Sequence, residues 1–242
     1  MKKLTCLLLL FSVTAVFFSC RDESGDFEEQ LFTTEQITFA LKQCIDSTMV
    51  RTCNTLCVVD TVKQKLGFSY FDSENYHIDL PAATKVVLDT LIQYGYKGKL
   101  DTLVMNLNRA AEKCGNKIVQ FWRDTIPKIT FPNPKLLLHE SESAITKYVK
   151  ETKQTEFISK LASSTLLEQF RELEIISTWN SFQKDYFEIT TQFVSIDILT
   201  PAAQQMADGF FRKMAVEEKK IRENPELRGG KENWLYKVFA TL

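Results

Sequence analysis

The sequence predicts an all-α fold: one multi-helix bundle domain over residues 33–242, preceded by a lipoprotein signal and a short acidic tether. Three observations carry this. Apolar residues recur at three- and four-residue spacing through most of the chain. The 242 residues include only eight glycines and six prolines, too few for a turn-dense β architecture. At 44% hydrophobic and 25% charged residues, the chain can bury one sizeable core.

Residues 1–19 read as an export signal. Lys2-Lys3 supplies the positive start, and Leu4 to Phe18 an apolar core too short for a comfortable membrane span. Ser19-Cys20 follows, a small residue directly before a cysteine, which resembles a bacterial lipoprotein signal in which Cys20 is acylated and becomes the mature N-terminus. An aromatic pair, Phe17-Phe18, stands where such signals usually carry Leu and Ala-like residues. Residues 20–32 then form the lipidated tether, whose run Arg21-Asp22-Glu23-Ser24-Gly25-Asp26-Phe27-Glu28-Glu29 is acidic and poor in apolar groups. It serves either as a solvated spacer or as a surface-export signal like those of lipoproteins of the Bacteroides group. The expected location is the cell envelope, on the periplasmic or surface face of the outer membrane.

The first helix starts at Thr33-Thr34-Glu35-Gln36, a capping box with Phe32 as a staple onto Ile37. Its stripe of Ile37, Leu41, Cys44, Ile45, Thr48, Cys53, Leu56 and Val59 is expected to continue to about Lys65, with Gly67 ending it. Phe68 to His77 reads as an aromatic loop folded back over the core. Ile78-Asp79-Leu80-Pro81 opens a second helix that runs to Gly95. A third spans about Lys99 to Cys114, Gly115-Asn116 breaks it, and Lys117 to Ile126 resumes. Thr130-Phe131-Pro132-Asn133-Pro134 marks a loop, because so much proline cannot be helix throughout. Ser143 to about Ser177 is helical in two pieces, and Trp179 to Phe193 is a further aromatic helix. A long helix then runs from Thr200, as cap, with Pro201 at the first position, to Asn224-Pro225. Met206, Phe210, Met214 and Ile221 form its stripe, and Glu217 falls inside it. Trp234 to Phe239 is a short apolar tail docked on the bundle.

Charge and cysteine usage narrow the function. Net charge is −1, and without Lys2 and Lys3 the rest is mildly acidic, so no nucleic-acid partner is expected. Cys44, Cys53, Cys57 and Cys114 lie in a chain that is expected to be exported, where disulfides can form. Yet Cys53 and Cys57 are one helical turn apart, a spacing that fits a disulfide poorly. Small buried thiols are expected instead. His139-Glu140 with Glu142 is too sparse for a metal site, and no metal or cofactor is expected.

Several of these stretches are familiar. Met105-Asn106-Leu107-Asn108-Arg109-Ala110-Ala111-Glu112 and Glu217-Glu218-Lys219-Lys220-Ile221-Arg222-Glu223-Asn224-Pro225 resemble the two signature helices of an uncharacterised bacterial family, domain of unknown function 4197. Ala40-Leu41-Lys42, Ile78-Asp79-Leu80-Pro81, Asp208-Gly209-Phe210-Phe211 and Lys237-Val238-Phe239 fall in the family's order. Phe131-Pro132-Asn133-Pro134 stands where members carry an Asp-Ala pair in an unbroken helix, and Phe239-Ala240 where they tend to end in Phe-Gly. The resemblance implies an exported, mostly helical protein and assigns it no reaction.

The candidate site is polar. Met105, Arg109 and Glu112 point almost opposite to Leu103, Leu107, Ala110 and Cys114, so Arg109 and Glu112 can pair along a solvated face. Alternatively that face packs on the last long helix and Arg109 reaches Glu217, giving an apolar-walled cleft with one ion pair. Asn106, Arg109, Glu112, Glu217 and Arg222 are the residues expected to form such an ion-pair or binding cleft. Lys213, Lys219, Lys220 and Arg222 read as the solvated side of the helix. The function expected is a lipid-anchored helical binding or scaffolding module, held to the membrane through Cys20, with a small molecule or protein as its partner. The alternative is a periplasmic hydrolase-like enzyme using Glu217 and Glu112 as paired carboxylates. An open cleft between the two favours the enzyme; closed ion pairs favour the module.

Overall fold

Local capping starts the bundle as expected. Thr33 accepts from the Gln36 amide at 3.2 Å while the Gln36 side chain accepts from the Thr33 amide at 2.8 Å. Helix α1 (Thr34–Leu56) follows, in a computed structural model that describes residues 32–60, 62, 65–69 and 76–242. The export signal, Cys20 and the tether to residue 31 lie outside the described residues. Phe32–Leu242 forms one compact unit, and its described residues are mostly helical and include no β-strand. No helix among the described residues is long and apolar enough to cross a membrane.

The remaining helices are α2 (Lys85–Gln93), α3 (Lys97–Glu112), α4 (Gly115–Thr125), α5 (Pro134–His139), α6 (Ala144–Lys160), α7 (Leu166–Glu172), α8 (Ile175–Thr190), α9 (Leu199–Glu223) and α10 (Trp234–Phe239). Short 3-10 turns occupy Ala82–Thr84, Ile126–Lys128 and Pro225–Arg228, and one π turn, Leu161–Thr165, joins α6 to α7. α9 is the axis, packed against α1 on one side and α6 on another. α1 is in turn flanked by α4, α5 and α10, while α2, α3, α7 and α8 form the other end. At the centre Trp122, Phe157, Phe210 and Phe211 pack with ring centroids 5.3–6.4 Å apart.

Several boundaries differ from expectation, each for a local reason. α1 stops at Leu56, not near Lys65, and Val59 is exposed. The carboxylate of Asp60 accepts from the amides of Val62 and Lys65, and Gly67, at φ +89°, donates to the Thr55 carbonyl. Those bonds turn the chain back and take up a helix-end carbonyl. Ile78 to Leu80 is extended and not helical, because side chains of other helices claim its backbone. Asn108 accepts from the Ile78 amide at 2.8 Å and donates to its carbonyl at 2.9 Å; Gln205 makes the same pair with Asp79 at 3.0 and 2.9 Å. α8 ends at Thr190, and the stretch after it is again extended, with Ile196 held by Gln183 and Trp179. α9 starts at Leu199, two residues before the expected Pro201, capped not by Thr200 but by Asp197, which accepts from the amides of Leu199 and Thr200.

Cys44 and Cys114 are fully buried and all four described cysteines are free thiols. Burial pushes the Cys114 thiol up to about 12 against a weaker pull from Lys117. A hydrogen bond with Cys53, together with burial, holds Cys57 well above the usual thiol range. Thiols kept protonated in this way are poor nucleophiles.

Candidate functional site

Helical period places Glu217 on the buried stripe of α9, at 3% exposure. A carboxylate there needs cations, since an unpaired buried charge is very costly. The structure supplies three. Oε1 accepts from Lys213 and Lys220, each at 2.8 Å, and Oε2 from Nε of Arg51 on α1 at 2.9 Å. Burial alone would raise the Glu217 pKa; the hydrogen bonds from Lys213, Lys220 and Arg51 outweigh it and hold it at about 2. Arg51 spends only its Nε here, and its two terminal amino groups make no bond with the described residues.

The expected Arg109–Glu217 contact is therefore replaced. α3 packs mainly against α7 and α8, not along α9, so its polar face cannot present Arg109 to Glu217. Arg109 donates instead to Glu112 at 2.6 Å, the bland pairing along the helix. That face is not solvated, however: Glu112 is 2% exposed, and its other oxygen accepts from the Ser69 amide at 2.8 Å. A Cβ on Gly67 would come within 2.4 Å of this oxygen, so the glycine lets the returning chain lie on the carboxylate. Asn106 is half-buried on the same helix, and Met105 is exposed.

Arg222 has a structural post. It bonds Glu218 at 2.9–3.0 Å and donates to the carbonyls of Leu138 and Leu137 at 2.7 and 3.0 Å, at the end of α5. Glu218, fully buried, accepts from the amides of Ile145 and Thr146 at the start of α6, where Ser143 gives no cap. One i,i+4 pair on α9 thus caps two other helices. Lys213 is buried, not part of a solvated face. Sequence reasoning passed over Arg51, gave Glu218 no partner and gave Asn108 no role. The last two were findable: Glu218 lies four residues before Arg222 and after Met214, and Asn108 sits between Val104 and Ala111 on the core side of α3.

Along the outer face of α1 runs a groove of about 760 Å³. Phe39, Val50, Ile126, Pro127, Leu227 and Leu235 supply its apolar walls. Asp46 is its one carboxylate, against Lys42, Arg51, Arg123 and Arg228. Lys42 is spent on the Pro127 carbonyl and Arg228 on the carbonyls of Ile221, Arg222 and Phe239. Arg51 also lines the neighbouring recess of about 380 Å³, with Asn54, Thr55, Lys213, Glu217 and Lys220. No group of residues suited to a metal ion occurs among the described residues.

A family model described as a protein of unknown function (DUF4197) matches residues 32–240. No curated protein and no solved structure matches the chain.

Proposed function

The chain belongs to this family of unknown function, and from that premise we propose that it is a lipid-anchored binding module of the cell envelope, attached through Cys20. Its ligand is a small, mainly apolar molecule held in the groove along α1. The observation that carries this reading is the groove itself: its volume lies within the range of small-molecule sites, and apolar side chains make its walls. The anchor rests on the sequence pattern Lys2-Lys3, Leu4 to Phe18 and Ser19-Cys20.

The geometry gives little support to a hydrolase using Glu217 and Glu112. A general acid or base works best with a pKa near the working pH, and Glu217 is held at about 2 by three cations. Glu112 is closed off by Arg109 and the Ser69 amide.

Native mass spectrometry of protein purified from its own host tests the binding role. Wild-type protein is expected to carry a co-purifying apolar mass that Ser47→Trp, which fills the groove, no longer retains. Equal retention by both removes the groove from consideration. For the anchor, Cys20→Ser is expected to move the protein from the membrane to the soluble envelope fraction and to abolish labelling by an acyl-chain analogue.

A further inference from the structure

Helices α4 and α6 meet through aromatic rings and part above them. Phe121 and Trp122 of α4 lie 5.4 and 5.3 Å from Phe157 of α6, centroid to centroid, with Phe121 tilted only 25° from it. Beyond the rings the two helices leave a cleft of about 640 Å³, within the range of small-ligand sites. It shares no lining residue with the groove along α1. Helical period sets Lys117, Gln120, Phe121 and Asp124 of α4 along one wall. Across from them stand Glu156 and Ser159 of α6, then Ser163 and Ser164 of the π turn. A π turn is a poor substitute for an α turn and recurs at functional sites. Here it keeps both serines on the cleft wall while Leu161 and Thr165 stay buried.

The polar groups of this cleft are of both signs and largely unengaged. Three cations, Lys117, Lys128 and Lys160, stand against three carboxylates, Asp124, Glu156 and Glu168, so a charged ligand gains little net attraction. Lys117 is closed on Glu168. The ammonium groups of Lys128 and Lys160 and the hydroxyls of Ser159 and Ser163 make no bond with the described residues. Asp124 accepts from Gln120 through one oxygen at 2.9 Å, and Glu156 from Lys153 through one at 3.3 Å, which leaves the second oxygen of each. Ammonium donors, carboxylate acceptors and hydroxyls that do both match a sugar ring, whose hydroxyls each donate and accept. Half-buried Phe121 gives the C–H face of such a ring an apolar surface. We propose that the cleft between α4 and α6 binds a short, uncharged oligosaccharide. Asp124 and Glu156 accept from its hydroxyls, Lys128 and Lys160 donate to them, and Ser159 and Ser163 do either. This second site is independent of the groove along α1 and of what the groove holds.

Calorimetric titration of the purified protein with cellobiose, maltose, lactose and N,N′-diacetylchitobiose tests the site, with glucose 6-phosphate as a charged probe and glycerol as a probe of hydroxyls alone. At least one disaccharide is expected to bind with a Kd of about 1 mM or tighter, and about tenfold more tightly than glucose 6-phosphate or glycerol. Its affinity is expected to stay within about twofold between about 50 and 500 mM salt, since no net charge is recognised. Asp124→Asn, which removes an ionised acceptor, is expected to weaken binding about fivefold. Ser163→Trp, which fills the cleft, is expected to abolish it. Both positions are exposed, so both variants are expected to melt within about 2 °C of wild type. Disaccharide binding that Ser163→Trp leaves unchanged overturns the site. So does glucose 6-phosphate or glycerol binding as tightly as the disaccharides, or no binding by any disaccharide. Should Ser163→Trp fail to fold, an affinity unchanged by Asp124→Asn overturns it instead.

Discussion

Glu217 shows how a single carboxylate can fasten two helices. Its pKa is depressed from 4.5 to about 2, so its contribution is present in full above the unfolded value and is lost as pH falls through the folded one. Stability is therefore expected to drop by about 3 kcal/mol between pH 4.5 and 2 on account of this group. Glu217→Gln removes that acid-limb loss and, by leaving Arg51, Lys213 and Lys220 facing one another, costs about 3–5 kcal/mol at neutral pH. Thermal melts of both proteins across that range check the claim; a melting temperature unmoved by the substitution at pH 7 refutes it. Glu218 carries a different load. Glu218→Gln keeps an acceptor for one amide of α6 but weakens the bond to Arg222, and about 2–4 kcal/mol is expected from chemical denaturation. The presence of a carboxylate in the α9 stripe was legible, because period alone locates it. Its partner was not: Arg51 lies 166 residues away, and no local pattern links them.

At the scale of elements, the caps decide most boundaries. The capping box at Thr33 and the stop at Asn224-Pro225 were legible because both act within four residues. The start of α9 falls two residues before the expected one because Asp197 caps it from a position where Thr200 looked just as able. The extended stretches at Ile78 and Ile196 were not legible as such, since Asn108, Gln205, Gln183 and Trp179 hold them from other helices. α8 ends on Thr191 with φ +58°, a left-handed conformation that a β-branched residue adopts only under strain. Thr191→Gly is expected to stabilise the protein by about 0.5–1 kcal/mol, visible as a raised melting temperature. Within the aromatic centre, Trp122 is fully buried and its indole N–H has no hydrogen-bond partner among the described residues. Trp122→Phe keeps ring packing and discards that donor, so it is expected to cost well under the about 3–5 kcal/mol of Trp122→Ala.

Over the whole molecule, the all-α class followed from periodicity and from the scarcity of glycine and proline. What periodicity could not supply is which helices lie against which, and so the groove went unseen: its walls come from α1, α4, the 126–128 turn and the C-terminal residues Leu227 and Leu235. Four buried or half-buried thiols complete the picture. Ellman's reagent is expected to label the native protein slowly and the denatured protein at Cys44, Cys53, Cys57 and Cys114.

The place of α9 has a bearing on how the chain is made. A ribosome releases residues in order, so α1 emerges early and its neighbours α9 and α10 emerge last. Gln43 finds Leu235 across 192 residues, and α5 and α6 receive their terminal partners from Glu218 and Arg222 only near the end of synthesis. Nascent polypeptide thus lacks its keystone until synthesis is nearly complete, which burdens any fragment released too soon. Chains cut short before residue 199 are expected to be cleared by proteases and not to accumulate as a smaller folded product.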